Sequence, residues 1–300
     1  MKPALIALTL IIGISNCFAE VGQAGWQILR KPQSARPQAI NNSVYMKSDL
    51  SGVFYNSAVL GTLKSKEAFF ISETGASNDM FGGVLYGTPV GEKSGLCAGA
   101  LYYDAGKMDL FWMEGTTEHT RTVTSQRDVL AIIAYGKHFS DRLYTGITVK
   151  YANSNIAETQ EAVAYAGDIG LIYVVNSKIN VSVSGQNIGS SSKFITKAEE
   201  LPTTASAGIS YFSINNENSY LAFGVEVPYI IKEGRVTPNL AVEYCLGKIA
   251  FDIGYKLNVE ESQLQAGLSF GINRNMNFSY AFLPARYLAH THRLNLGVKF

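Results

Sequence analysis

Residues 249–257, Ile-Ala-Phe-Asp-Ile-Gly-Tyr-Lys-Leu, decide how this chain folds, because large apolar residues alternate with small or polar ones. Successive side chains of a β-strand point to opposite faces, so this period of two predicts a strand with one apolar and one polar face. The same pattern recurs in residues 147–151, 179–184, 264–272, 276–282 and 294–300. An all-β fold is therefore expected.

The length of these segments favours a membrane barrel. Many run 9 to 11 residues, which matches the roughly 9–11 tilted residues that cross a bilayer and exceeds the usual 5–6 of globular proteins. No segment after residue 19 has the roughly 18 consecutive apolar residues of a membrane helix, so any crossing must use strands. A soluble secreted β protein, adhesin-like, is an alternative because a sandwich alternates in the same way.

The connections between the predicted strands alternate in length when counted back from the C-terminus. One set is short: residues 273–275, 247–248, 215–218, 176–178, 140–142 and 104–107. The other set is mostly longer: residues 284–289, 230–235, 189–202, 154–162 and 116–127, with residues 260–262 as a short exception. Short periplasmic turns and longer external loops are typical of outer-membrane barrels.

The number of strands follows from an evenness rule. Fifteen candidate strands lie between residues 67–73 and 290–300, whereas single-chain bacterial barrels have even numbers. We expect a transmembrane antiparallel barrel of about 14 strands over residues 64–300, with residues 67–73 or another early segment outside it. A barrel of this size has a lumen that side chains do not fill. Residues 20–63, rich in Gly, Pro, Asn and Ser, are the predicted N-terminal plug.

The first 19 residues have the features of a cleaved signal peptide. Lys2 precedes an apolar run from Ala4 to Ile14, and Cys17-Phe-Ala19 is a small-x-small cleavage site. A lipoprotein anchor on Cys17 is the competing interpretation. Lys2 is the one charged residue in this segment, so the 25 basic residues become 24, equal to the 24 acidic ones. This balance argues against a nucleic-acid partner.

The last strand carries a predicted assembly signal. Leu294, Leu296, Val298 and Phe300 lie on one strand face, and Phe300 ends the chain. Barrel-assembly machinery of the bacterial outer membrane recognises such an ending. An ordinary half-buried strand at the C-terminus is the alternative. With the signal peptide and the alternation, this ending predicts export to the bacterial outer membrane and contact with its lipid.

Several short motifs, taken in order, resemble the PorV/PorQ family of outer-membrane proteins. The N-terminal pieces are Ser34-Ala35-Arg36-Pro37-Gln38-Ala39 and Asp49 to Asn56, followed by Asn56-Ser57-Ala58-Val59 in place of the family's Asn-Pro-Ala-Gly. The middle pieces are Gln186-Asn187-Ile188-Gly189, Leu201-Pro202 and Gly208-Ile-Ser-Tyr211. The final pieces are Phe278-Ser279-Tyr280-Ala281-Phe282, with Ser279 where Asp is usual, and Thr291-His292-Arg293-Leu294.

The resemblance implies a fold similar to the long-chain fatty-acid transporter FadL. It implies two different functions: a FadL-like channel for hydrophobic small molecules, or a PorV-like component of the type nine secretion system that handles secreted cargo proteins. Fold alone does not choose between them.

Charged residues interrupt the polar faces of several predicted strands: Lys150, Asp168, Glu226, Glu243, Asp252 and Lys256. A charge that faces lipid at mid-depth costs roughly 2–4 kcal/mol for Lys or Arg and less for Asp or Glu, so these side chains should point into the lumen. Pairing with one another, or with Arg36 of the plug, is the expected role. A role in gating or cargo passage is the alternative.

No catalytic or cofactor motif is present in the sequence, so we expect neither an enzyme nor a resident cofactor. There is no Gly-x-Ser-x-Gly, P-loop, His-Glu-x-x-His or Cys-x-x-Cys. His290 and His292 share a strand face but have no further ligand nearby, so no metal site is predicted. Cys97 and Cys245 are expected to be packed strand residues, with a disulfide as the alternative.

Overall fold

A computed structural model describes residues 25–31, 33–40, 49–74, 79–194, 196, 198–216, 218–260, 263–287 and 290–300. The predicted signal peptide, Cys17 included, lies outside these residues. The described helices are α1 (Gln27–Arg30), α2 (Ala35–Ala39), and two 3₁₀ helices, the first Leu50–Phe54 and the second Ser57–Thr62. None of these helices has the length and apolar character needed to cross a membrane.

The strands are β1 (Glu67–Thr74), β2 (Met80–Pro89), β3 (Ser94–Asp104), β4 (Lys107–Glu114), β5 (Thr117–Thr124), β6 (Gln126–Ser140), β7 (Leu143–Ile156), β8 (Gln160–Asn176), β9 (Ile179–Ser191), β10 (Thr204–Asn215), β11 (Ser219–Ile230), β12 (Arg235–Val236), β13 (Asn239–Leu246), β14 (Ile249–Lys256), β15 (Leu264–Gly271), β16 (Met276–Leu283) and β17 (Thr291–Lys299).

Fourteen of these strands form a closed antiparallel barrel, which confirms the predicted fold. The ring runs β1, β2, β3, β6 to β11, β13 to β17, and it closes where β1 pairs with β17. β12 pairs only with the end of β11, and β4 pairs only with β5. Residues 67–73 are therefore a barrel strand, and the early segments outside the barrel are β4 and β5.

The outer face of the barrel exposes many large apolar residues, the reverse of a soluble sandwich. In β14, Ile249, Phe251, Ile253 and Tyr255 are 40–57% exposed, whereas the alternate residue Asp252 is buried. Lipid solvates apolar side chains, so this arrangement suits a bilayer and not water. In β17 the side chains of Leu294, Leu296 and Val298 alternate in the same way with buried inward residues, and Phe300 is exposed after the strand.

Connections of two kinds separate the two ends of the barrel. The turn end contains Glu67 and its partner Lys299, and its connections are residues 90–93, 141–142, 177–178, 216–218, 247–248 and 272–275. The loop end contains Thr74 and His292, and its connections are mostly longer. The predicted alternation is thus present in the structure.

Four of the predicted connections are wrong in detail. The long loop predicted at residues 154–162 is the short turn 157–159, because β7 ends at Ile156 and β8 begins at Gln160. Residues 104–107 belong to the loop end, because β3 pairs directly with β6, Asp104 with Arg127. The residues between these two strands leave the barrel wall and return to it as a single long connection. Residues 116–127 are consequently the returning strand β5 and its junction, not a separate loop. The link predicted at residues 260–262 spans 257–263, because β14 ends at Lys256 and Asn258 adopts a left-handed φ of 57°.

The excursion between β3 and β6 is a projecting hairpin, β4–β5, with exposed apolar residues. Phe111, Trp112 and Met113 are exposed, and Trp112 stacks on His119. The base of the hairpin contacts the β7–β8 turn, where the Glu158 carboxylate accepts a hydrogen bond from the Thr124 amide (3.2 Å). That hydrogen bond lowers the pKa of Glu158 below its ordinary value, so the contact persists at neutral pH.

Removal of the β4–β5 hairpin should leave barrel assembly unchanged. Ala105 donates a backbone hydrogen bond to Gln126 (2.9 Å), so replacing residues 106–125 by Asn-Gly matches a two-residue hairpin turn. The measurement is the mobility shift between unheated and heated protein on a detergent gel, which should equal that of the wild type. Loss of the shift would show that the hairpin is part of the barrel's stability.

The two cysteines do not form a disulfide. Cys97 is buried in β3 and Cys245 lies in β13, and no disulfide joins them. Their strands are not neighbours in the barrel, so the disulfide alternative does not hold.

Candidate functional site

The lumen is occupied by the N-terminal plug predicted at residues 20–63, of which the structure describes 25–31, 33–40 and 49–63. One half of the lumen is apolar. Leu50 and Phe54 of the first 3₁₀ helix join a buried cluster with the inward side chains Phe69, Phe81 and Leu130 of β1, β2 and β6. Burial of apolar area stabilises this contact by about 25 cal/mol per Å². The plug is therefore packed against the wall as a core.

The second 3₁₀ helix contacts the wall at glycines, which allow its backbone to approach the strands. A Cβ added to Gly136 would lie 2.3 Å from the Ser57 carbonyl oxygen, and one added to Gly146 would lie 2.3 Å from the Ser57 carbonyl carbon. Asn56 caps this helix by accepting from the Ala58 amide (3.1 Å) and donates its side-chain amide to the Leu171 carbonyl (3.2 Å). The plug closes the turn-end half of the lumen at this contact.

A buried ion pair fastens the other part of the plug. Arg36 of α2 makes three hydrogen bonds to Glu243 of β13, from Nη2 to Oε2 (2.7 Å) and Oε1 (2.9 Å) and from Nε to Oε1 (3.3 Å). Tyr220 of β11 donates to the same carboxylate. Ala39 of α2 packs directly on Gly267 of β15, since a Cβ added to Gly267 would lie 2.5 Å from the Ala39 Cβ. Burial alone would lower the pKa of Arg36, but Glu243 raises it well above its ordinary value. The guanidinium therefore stays charged inside the barrel.

Asp252 faces the same region without a hydrogen bond. It pairs in register with Glu243 across β13 and β14, and it is buried. Neither carboxylate oxygen has a hydrogen-bond partner among the described residues, nor does Nη1 of Arg36. The ion pair of Arg36 and Glu243, called the plug ion pair below, thus has a second carboxylate beside it.

The predicted lumen charges Lys150 and Asp168 both contact Asn187 of the motif at residues 186–189. Lys150 Nζ lies 2.7 Å from Asp168 Oδ2 and donates to Asn187 Oδ1 (2.9 Å). Asn187 has a left-handed φ of 55°, donates its amide nitrogen Nδ2 to the Pro202 carbonyl, and lies where the β8–β9 register shifts. Position 189 has no room for a side chain, since a Cβ there would lie 2.0 Å from the Tyr165 carbonyl oxygen, so it must be glycine. This group joins β7, β8, β9 and the loop before β10.

A third charged cluster was not predicted from the sequence. Arg293 of β17 pairs with Glu73 of β1, and Lys31 of the plug lies 3.0 Å from both Glu73 and Asp79. Lys31 also lies 4.3 Å from the centre of the Tyr103 ring. The alternation that identified Asp252 would also have identified Arg293, because it occupies an inward position between His292 and Leu294.

The remaining predicted residues lie apart from these clusters. Tyr280 and His292 share a hydrogen bond on the outer side of the loop end (2.7 Å), and His290 accepts from the Ala285 amide (3.1 Å). Among the residues that the structure describes, no group of three or more His, Cys, Asp or Glu could hold a metal. Glu226 and Lys256 line one cavity, described next.

Three cavities adjoin the plug. Cavity A, about 150 Å³, is lined by residues that include Leu29, Lys31, Lys150, Asn187 and Thr204. Cavity B, about 130 Å³, is lined by Pro37, Gln38, Tyr55, Gln186, Ser206, Glu226, Pro228, Asn239 and Lys256. Cavity C, about 280 Å³, lies at the turn end against both 3₁₀ helices and Lys299. The plug thus lies between spaces at the two ends of the barrel.

A closed fourteen-stranded barrel with a filled lumen has the fold of outer-membrane β-barrel proteins. No protein-family model matches the sequence, and no curated protein does. The chain is similar in structure to the toluene transporter TodX of Pseudomonas putida, with a TM-score of 0.63, 9% identity, and coverage of 89% of this chain and 98% of that chain.

Two other solved barrels are similar as well. The monoaromatic hydrocarbon channel CymD gives a TM-score of 0.59 at 12% identity, with 89% of this chain and 97% of that chain covered. The outer membrane protein Omp33 of Acinetobacter baumannii gives 0.50 at 10% identity, with 80% and 100% covered. At these identities the likeness shows the fold alone.

Proposed function

We propose that this protein is a plug-gated outer-membrane channel of the FadL type that admits hydrophobic small molecules. The observation that carries the proposal is the plug, which fills the lumen of a closed barrel and is fastened by a buried ion pair. In this proposal the loop end faces the exterior and the turn end faces the periplasm, as the connection lengths favour. Passage then requires the plug to shift.

The lumen has one wall suited to a hydrophobic solute. The inward side chains of β1, β2, β3 and β6 are largely apolar, among them Phe69, Phe81, Leu85, Leu101 and Leu130. A solute that displaces the plug from this wall replaces one apolar contact by another, so the exchange costs little. The likeness to barrels that are named as a toluene transporter and a monoaromatic hydrocarbon channel supports the same substrate class.

Uptake by intact cells tests this function, because a lipopolysaccharide-bearing outer membrane is the barrier that a hydrophobic solute must cross. Radiolabelled toluene is supplied at limiting concentration to cells with and without the gene. We expect the initial uptake rate to fall on deletion, to recover with the wild-type gene, and to exceed the wild-type rate with Glu243→Gln. Equal uptake with and without the gene would refute the channel function.

A matched control separates gating from a change of charge. Glu118→Gln makes the same chemical change on the exposed β5 strand of the hairpin, where it affects no lumen contact. Cells that carry Glu118→Gln should take up toluene at the wild-type rate. A rise with both variants would assign the effect to surface charge.

A second candidate is a PorV-like role in secretion, and the β4–β5 hairpin is the observation that favours it. The hairpin exposes Phe111, Trp112 and Met113 at the loop end, and aromatic and Met residues are enriched at protein interfaces. Exported proteins should then co-purify with the full chain but not with the variant that lacks residues 106–125. Equal recovery with both would refute this role.

A further inference from the structure

Cavities A and B adjoin each other, and the residues common to their linings are Tyr55 and Gln186. The side-chain amide of Gln186 in β9 donates to the Tyr55 carbonyl oxygen (2.6 Å), and the Tyr55 hydroxyl accepts from the backbone amide of Gln33 (3.2 Å). A plug residue held at both its carbonyl and its hydroxyl thus separates the two cavities.

Two buried amide groups line cavity B and lack partners for their oxygens. Gln38 of α2 is 4% exposed and Asn239 of β13 is 6% exposed. The Gln38 Oε1 and Asn239 Oδ1 atoms have no hydrogen-bond partner within the part of the chain that the structure describes. Buried polar groups in folded proteins are nearly always hydrogen-bonded. Both oxygens are inaccessible in this arrangement, so a hydroxyl group in the cavity would satisfy them once the two side-chain amides turn toward it.

The charges around cavity B favour a neutral ligand. Lys256 and Glu226 both line it, and they attract each other. Ser206 donates to the Glu226 carboxylate (3.1 Å). A ligand with a net charge would be attracted by one of these groups and repelled by the other, whereas hydroxyl groups can both donate and accept.

The volume limits the size of the ligand. An apolar cavity of about 150 Å³ holds benzene, a molecule of six non-hydrogen atoms. Cavity B, at about 130 Å³, should therefore hold a molecule of similar size. We propose that cavity B is a binding site for small neutral polyhydroxylated molecules, with Gln38 and Asn239 as hydrogen-bonding residues and Tyr55 as the residue that limits ligand size.

This site goes beyond the proposed channel function, because binding there requires no passage through the barrel. It lies in the loop-end half of the lumen, since Lys256 is the last residue of β14 and Asn239 the first of β13. A ligand from the loop side thus meets cavity B before it meets the second 3₁₀ helix.

The test uses glycerol, which has six non-hydrogen atoms, as the probe for saturation-transfer NMR on the full chain in lipid nanodiscs. We expect transfer to glycerol with the wild type and binding weakened about three- to tenfold by Gln38→Ala and by Asn239→Ala, each of which removes one hydrogen bond. Gln27→Ala, an exposed glutamine of α1, should bind as the wild type does. Each variant is first checked for the heat-dependent mobility shift of a folded barrel.

The size limit has its own variant. Tyr55→Ala should join cavities A and B and allow glucose, with twelve non-hydrogen atoms, to bind where the wild type does not bind it. No transfer from the wild type to glycerol, or equal transfer with Gln38→Ala and Asn239→Ala, would overturn the proposal. Glucose binding that is the same with and without Tyr55 would overturn the role of Tyr55.

Discussion

Glu243→Gln should release the plug from the barrel wall while the barrel itself remains folded. The substitution removes the carboxylate that accepts the hydrogen bonds of the buried Arg36 guanidinium, and neither oxygen of the neighbouring Asp252 accepts one. Breaking a buried ion pair by removing one partner costs about 3–5 kcal/mol. At about 1.4 kcal/mol for each factor of ten, the released plug should become about two to four orders of magnitude more populated. Hydrogen exchange of the Gln38 and Ile40 backbone amides, which donate to the Ser34 and Arg36 carbonyls, should accelerate accordingly.

The control for this experiment is again Glu118→Gln, which should leave the exchange of the Gln38 and Ile40 amides unchanged. Strand amides of β13 report on the barrel and should exchange at wild-type rates in both variants. Faster exchange throughout the barrel would show that the plug ion pair stabilises the wall. Unchanged exchange in α2 would show that Arg36 does not hold the plug.

Gly136→Ala and Gly146→Ala together should displace the second 3₁₀ helix. Each new Cβ would lie 2.3 Å from a backbone atom of Ser57, and a backbone atom cannot rotate away as a side chain can. Overpacking costs about 1–3 kcal/mol at each site. Trypsin cleavage after Lys64, an exposed residue that follows this helix, should become faster, since cleavage requires local opening.

Gly271→Ala is the matched control, because the nearest atom to its added Cβ is 3.7 Å away, an ordinary contact distance. Its cleavage rate should equal that of the wild type. If the double variant also resists trypsin as the wild type does, the glycine contacts do not determine the position of the plug.

The barrel could be predicted from the sequence because its apolar alternation is local. In β13 and β14 each residue's face follows from its position, so the inward placement of Glu243 and Asp252 follows as well. The segment between the predicted connections 104–107 and 116–127, which is β4, is one of the fifteen candidate strands, because alternation does not state which strands are neighbours. The pairing of Asp104 with Arg127 excludes β4 from the barrel. That pairing joins two strands that are not consecutive in the sequence, so the local pattern does not reveal it.

The plug contacts were less predictable. The plug ion pair joins residues 207 positions apart in the chain, and nothing local in the sequence selects Glu243 over Asp252 as the partner of Arg36. Tyr55 and Gln186 carry no pattern that marks them as a divider between cavities. Asn187 and Pro202 were singled out by resemblance alone, and the structure places them beside Lys150 through a left-handed residue that alternation does not foresee.

The conductance of the wild-type protein in a planar lipid bilayer tests the central claim most directly. If the plug closes the barrel, the wild type should show a closed baseline with rare, brief openings. Glu243→Gln should show frequent openings of the same size, because the same barrel opens more often. A steady open conductance in the wild type would contradict the claim that the N-terminal segment closes the lumen.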